Sequence, residues 1–202
     1  MSAWLQLRRA ADLQALPWRN GQGLSVPLFA ADTSKMPDWR ISVASIRADA
    51  SYSDFAGYQR AQVLLQGGPL HLSVADTPLA SLTAPGQRVE FDGALVVQAC
   101  IEDSCALLNT AIRPGRGTLR SWLRPVLGTL MLPVHAGGQW FGYVLGGQLS
   151  LRCGVDRHLL HQGDAFCIND QGLPRAVIDG GGSLALAQLL SPDHQSVQLT
   201  LT

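Results

Sequence analysis

Two residue types that normally fill the solvent faces of helices are almost missing from this chain. Lys35 is its single lysine, and Glu90 and Glu102 are its only glutamates. That scarcity argues against a mainly helical protein. Charged residues make up only 15% of the chain, and 15 basic residues balance 15 acidic ones at a formal net charge of +0. With neither a basic field nor an acidic arm, no nucleic-acid partner is expected. No run of ~18 apolar residues is present, so no membrane partner is expected either. Residues 1–13 lack the apolar stretch of a secretory signal, which leaves a cytoplasmic location as the expectation. Cys100, Cys105, Cys153 and Cys167 form no CxxC pair, so a zinc ribbon or redox motif is not indicated, and buried free thiols are the expected state.

What the chain does have is apolar content and turn formers: 47% hydrophobic residues, 21 glycines and 11 prolines in 202 residues. Disorder is thereby excluded, and a turn-rich all-β protein is indicated. Trp39–Ile46 alternates apolar and polar residues as a half-buried strand does. Residues 62–65 run into Gln66-Gly67-Gly68-Pro69, and the alternation resumes at Leu70, which predicts a hairpin. Further strands are expected over residues 88–91, 95–101 and 106–112, with one or two helical turns over residues 10–16. The second half repeats the theme at an offset of 79 positions: Gly67 and Gly146, Gly68 and Gly147, Leu70 and Leu149. Two similar units are therefore expected, residues 1–115 and 116–202, packed together as one globular body.

The phrase from Val144 to Leu151, followed by Leu159 through Gly163-Asp164, resembles the L-x-G and G-D core of cupins, small β-barrels with a site inside the barrel. Two in tandem make a bicupin. The resemblance implies metal ligands at set places: two His and a Glu before the first glycine, a third His after the G-D turn. Here those slots align with Phe55 and Arg60 in the first unit, with Trp140, Phe141 and a single His135 in the second, and with Arg175 after Gly163-Asp164. Arginine has no lone pair to donate to a metal. His71, His135, His158, His161 and His194 form no ligand cluster along the sequence, so no metal or other cofactor is expected. Arginines at a barrel mouth instead suit a small carboxylate, which a guanidinium matches bidentately.

A denser match lies in the first half. Pro17-Trp18-Arg19-Asn20-Gly21-Gln22-Gly23, then Trp39-Arg40-Ile41-Ser42, then the segment from Tyr52 to Arg60, resembles the HutD/Ves family of bacterial bicupins in motif order and spacing. Leu107-Leu108-Asn109 with Arg113 resembles that family's D-(L/F)-N and closing arginine. The resemblance implies a bacterial protein, encoded in many genomes beside histidine-degradation genes, that binds a small pathway acid such as urocanate or a formylated product and moderates histidine utilisation; the Ves branch is linked to stress response. This chain departs from the pattern at Gln22, where the family has glycine, and at Leu107, where it has an acid.

Read physically, the ligand-binding candidates are Asn20, Gly21, Gly23, Arg40, Tyr58, Arg60, Asn109 and Arg113. The 20–23 loop lets backbone N–H groups approach an oxyanion, or is a plain glycine turn. Arg40 faces opposite to Trp39 and Ile41, into a barrel lumen or into solvent. Tyr58 and Arg60 share a face at period two, where phenol and guanidinium could meet one ligand, or Arg60 pairs with an acid such as Asp54. Asn109 needs polar partners within an apolar strand, from a neighbouring strand or from a ligand. Arg113 enters through the resemblance alone. The functional expectation is a metal-free, small-carboxylate-binding bicupin, monomer or homodimer, with a regulatory or stress-related role. The alternative is a cofactor-free isomerase or hydrolase using Tyr58, Glu90 or a histidine as general acid or base.

Overall fold

The computed structural model of the chain describes residues 4–18, 21–134, 136–169 and 175–192. Their regular structure is almost all strand. The first half contains β1 (Leu5–Arg8), β2 (Leu16–Pro17), β3 (Gly23–Ala30), β4 (Trp39–Ile46), β5 (Ala50–Ser51), β6 (Gln59–Gly67), β7 (Leu70–Val74), β8 (Thr77–Leu82), β9 (Arg88–Asp92), β10 (Val97–Ile101) and β11 (Cys105–Ile112). The second contains β12 (Thr118–Pro133), β13 (Gln139–Cys153), β14 (Asp156–Leu160), β15 (Ala165–Asn169) and β16 (Arg175–Leu190). The helical turns expected over residues 10–16 shrink to a 3-10 turn at Ala10–Asp12, because Leu16 and Pro17 pair with β3 instead. Among the described residues no helix is long and apolar enough to cross a membrane.

Three sheets form. The order β2-β3-β4-β11-β6-β9 makes a six-stranded sheet, and β5-β10-β7-β8 makes a four-stranded one. Ile46, Leu64 and Leu107 from the first meet Leu70, Leu72, Val97 and Ala99 from the second in one buried cluster, which closes the first barrel at its floor. The second barrel is the order β1-β15-β13-β16-β12 with β14 beside β13. Its interior is filled by apolar side chains, among them Trp4, Val126, Phe166, Ile178 and Leu186. A third cluster lies between the barrels, where Ile41, Val43, Val63 and Leu108 pack against Phe141, Ala185 and Leu189. The all-β, two-barrel architecture is the one the sequence implied.

Three local features differ from expectation. Residues 62–74 are not a hairpin: β6 pairs with β11 and β9, whereas β7 pairs with β10 and β8. Gly67 and Gly68, at φ +74° and +95°, form the corner at which the chain changes sheet. The hairpin is β7–β8, turned at Ala75 and Asp76, both at positive φ. In the second half the equivalent glycines do not end a strand, since β13 runs through Gly146 and Gly147 with a bulge. Finally, the first strand crosses the expected boundary at 115: Leu5–Arg8 pairs with residues 165–168 of the second barrel.

Gly147 permits that passage. Its φ is +96°, and a Cβ would lie 2.2 Å from the Gly181 carbonyl oxygen, whereas a Cβ at Gly146 meets nothing within 4 Å. Gly147→Ala is therefore expected to lower stability by about 2–4 kcal/mol and Gly146→Ala by less than about 1 kcal/mol, read from urea midpoints at equal slope. Equal losses at the two positions would contradict this account.

Candidate functional site

A cavity of about 260 Å³ opens inside the first barrel. Its wall follows from the two-residue period of β4, β11 and β6. On the lumen side the strands place three rows in register: Arg40, Ala111 and Arg60 at the mouth, Ser42, Asn109 and Gln62 beneath, and Ala44, Leu107 and Leu64 at the floor. The intervening residues Ile41, Val43, Val63 and Leu108 belong to the cluster between the barrels. Arg40 thus takes the lumen side, at the exposed rim. Ala111, between Arg40 and Arg60 in register, presents only a methyl group to the lumen.

Arg60 is only 9% exposed. Its guanidinium carbon lies 4.4 Å from the Phe55 ring centroid, 5.0 Å from Phe91 and 5.2 Å from Tyr52. Arg40 also lies 4.4 Å from Phe55, so one ring carries two cations. Such contacts offset part of the cost of taking a cation out of water. They do not satisfy its donors: Nη1 of Arg60 is buried with no hydrogen-bond partner. Among the described residues no carboxylate lies within 4.0 Å of Arg40 or Arg60, Asp54 included; Asp54 instead caps the Ala56 amide. Burial pushes the Arg60 guanidinium down to about 10, with Arg40 adding to the effect and Tyr52 opposing it. Arg40 is lowered by burial as well. Both remain cationic at neutral pH.

The middle row is a hydrogen-bonded chain. The Tyr52 hydroxyl donates to Gln62 Oε1 at 3.2 Å, and Gln62 Nε2 donates to Asn109 Oδ1 at 2.7 Å. The Asn109 amide nitrogen is left to present donors to the cavity, beside the two arginines. Burial raises the Tyr52 phenol well above its ordinary value, so it is a fixed neutral donor. Leu16, Pro17 and Trp18 also line the cavity. The Trp18 indole donates to Ser25 Oγ at 2.8 Å and meets Tyr52 edge-on at 6.0 Å.

Of the eight candidates, Arg40, Arg60 and Asn109 meet in this cavity. Gly23 supports its wall: a Cβ there would stand 2.9 Å from the Trp18 ring and from the Ser45 carbonyl oxygen. Gly21 is exposed at φ +70° and its amide donates to the Trp18 carbonyl, a turn contact. Asn20 lies outside the described residues, as do Arg19, His135 and His194. Tyr58 does not line the cavity, because its hydroxyl donates to the Pro37 carbonyl at 2.6 Å. Arg113 lies over the Tyr58 ring at 5.7 Å, in a second cleft, between the barrels, that Arg60 and Thr110 also line. Sequence reasoning did not select Tyr52, Phe55, Gln62 or Phe91. Gln62 was within reach, since it follows Arg60 at period two, and Tyr52 and Phe55 share the motif segment that ends at Arg60; Phe91 comes from β9, which no local pattern joins to Arg60.

Among the described residues no three of His, Cys, Asp and Glu gather where they could hold a metal ion. The cupin glutamate slot holds the caged Arg60, whose charge repels a cation, so the residues here do not fit a metal. Leu107, one of the two departures from the resembled pattern, belongs to the apolar floor below the polar row.

Comparison with known proteins gives a family. The family model described as HutD matches residues 10–186. An uncharacterised 21.2 kDa protein from the hutC 3′ region of Pseudomonas putida is 38% identical over 112 residues, covering 54% of this chain and 55% of that protein. The match thus spans about half the length of that curated relative. Among solved structures, a conserved protein of unknown function from Pseudomonas aeruginosa superposes with a TM-score of 0.82 at 25% identity, over 93% of this chain and 99% of the other. HutD from Pseudomonas fluorescens, in a formate condition, superposes at 0.72 with 23% identity, over 93% and 100%. The fold extends to a cupin barrel protein from Leptotrichia buccalis, at 0.53 and 13% identity over 87% and 92%.

A buried cation with an unpartnered donor destabilises the protein that carries it. Arg60→Met, which keeps apolar volume inside the aromatic cage, is expected to raise stability without ligand by about 1 kcal/mol. Thermal and urea unfolding would read this, and a loss of similar or larger size would count against the description of Arg60 as unsatisfied.

Proposed function

Because the chain belongs to the HutD family, we propose that its first barrel is a receptor for a small carboxylate and serves regulation rather than turnover. The observation that carries this reading is Arg60, a guanidinium 9% exposed with Nη1 unpartnered. Arg40 at the rim and Asn109 in the middle row add donors on the same side. A carboxylate accepts from such a group of donors at once and relieves the charge they share. The cavity, about 260 Å³, suits a molecule smaller than a drug-sized ligand. The hutC neighbourhood of the P. putida relative supports an acid of histidine breakdown, urocanate or a formylated product, as the ligand. The formate condition of the P. fluorescens structure makes formate the simplest probe.

The cavity lining supports binding over catalysis. Its described residues include no histidine, carboxylate or thiol, and its tyrosine, Tyr52, is held well above the ordinary phenol range. The other acid–base candidates are occupied elsewhere: Tyr58 on Pro37, and Glu90 in an exposed ion pair with Arg88.

Isothermal titration with formate, urocanate and formylglutamate tests the proposal. At least one is expected to bind, and Arg60→Met to weaken it by about 30-fold or more, the cost of removing one member of a buried charge pair. Affinity should hold steady from neutral pH upward and fall as pH passes about 10, where Arg60 loses its proton. No binding by any of the three at millimolar concentration, or equal binding by the variant, would overturn it.

A further inference from the structure

Leu16, Pro17 and Trp18, which line the cavity, are paired with the first barrel through β3 and Gly23 and also form the end of a strap that begins on the second barrel. Trp4 sits in the second barrel's core, and β1 pairs with β15 over four residues. The Arg8 guanidinium donates to the Leu28 carbonyl and lies 5.7 Å from the Phe29 ring, which fastens the strap to β3 as it passes. Arg9 donates to Asp164 Oδ2 at 2.7 Å and to the Leu159 carbonyl at 2.9 Å. Asp164, 2% exposed, also accepts from the amides of Ala10 and His161, each at 3.0 Å. A Cβ at Gly163 would lie 2.8 Å from that of Ala10, so the turn before Asp164 is shaped to receive the strap. The 3-10 turn ends at Asp12, and Leu16, Pro17 and Trp18 already line the cavity. Three residues intervene, and Leu13 among them is packed into the cluster between the barrels. Four extended peptide steps reach at most ~14 Å, so little slack separates anchor from wall.

We infer that Asp164 and Arg9 are positioning residues for the cavity: the second barrel, its core packed with apolar side chains, holds the strap that borders the first barrel's ligand site through Leu16–Pro17 and Trp18. This rests on the receptor reading for its ligand and on the strap geometry for everything else. The anchor touches no ligand. It acts by limiting the motion of the wall, so its loss speeds ligand escape more than it slows entry. Coupling of this kind is mutual, and a ligand seated against Trp18 steadies the anchor in return.

Arg9→Ala is the test variant, since the Arg9 side chain is 45% exposed and its removal leaves the core intact; Asp164→Asn is the second. Arg152→Ala, which breaks an exposed ion pair with Asp179 away from the strap, is the control. In hydrogen exchange without ligand, Arg9→Ala is expected to speed the Trp18 amide, bonded to the Gly23 carbonyl in the first barrel, by about tenfold while the control does not. In stopped flow with urocanate, or formate if urocanate does not bind, the variant's dissociation rate is expected to rise about fivefold at a nearly constant association rate, with Arg9→Lys restoring most of it. Adding the same acid to the unaltered protein should slow exchange at the Ala10 amide. Unchanged Trp18 exchange in both strap variants overturns the inference, as does unchanged dissociation where the unaltered protein binds. Should none of formate, urocanate and formylglutamate bind the unaltered protein, the receptor reading falls on its own and the exchange result still decides the strap.

Discussion

The site depends on one constraint: the central strands β4, β11 and β6 of the first barrel are covered on both faces, and those faces have opposite chemistry. One must be apolar because it packs on the second barrel, through Ile41, Val43, Val63 and Leu108. The period of two then sends Arg40, Ser42, Asn109, Arg60 and Gln62 to the other face, inside the barrel. A slip of one residue would bury arginines between the barrels and line the lumen with valine. The cavity and the interface between the barrels are two consequences of one register.

Within that frame the polar row and the aromatic cage divide the work. Tyr52, Gln62 and Asn109 satisfy one another along a chain, and this fixes their orientation. Arg60 is held by rings that attract its charge without meeting its donors. A group so placed costs the ligand-free protein stability and lends the bound state affinity, the usual exchange at a binding site. The second barrel shows the contrast. Its interior contains Phe166, Ile178 and Leu186 where the first has arginines, and its G-D turn holds the strap through Asp164 rather than a ligand.

Much of the fold was legible because it rests on local pattern. Trp39–Ile46 reads as a strand from its alternation alone, and the glycine pairs at 67 and 146 read as places where the backbone changes course, with positive φ at Gly67, Gly68 and Gly147. What those glycines do was not legible: at Gly67 the chain turns a corner between sheets, and at Gly147 it bends within one strand. The outcome depends on which distant strands lie alongside. The same limit applies to the site. Arg60 and Asn109 stand out as polar residues in apolar strands, whereas Tyr58 looked equivalent to Arg60 only on the premise that the strand continues through it. β6 starts at Gln59, and Tyr58 turns to Pro37. The crossing of β1 to the second barrel left no local mark, since pairing partners as far apart as Leu5 and Ile168 share no sequence window.

The central claim is that the Arg60 guanidinium is the anchor for an anion inside the first barrel. A crystal structure of the chain grown with urocanate or formate tests it most directly. The account predicts a carboxylate in the cavity with an oxygen about 2.7–2.9 Å from Arg60 Nη1, the distance of a charge-assisted hydrogen bond, and within reach of Arg40 or Asn109. Carboxylate density confined to surface arginines, with the cavity holding only water or a neutral molecule, would contradict it.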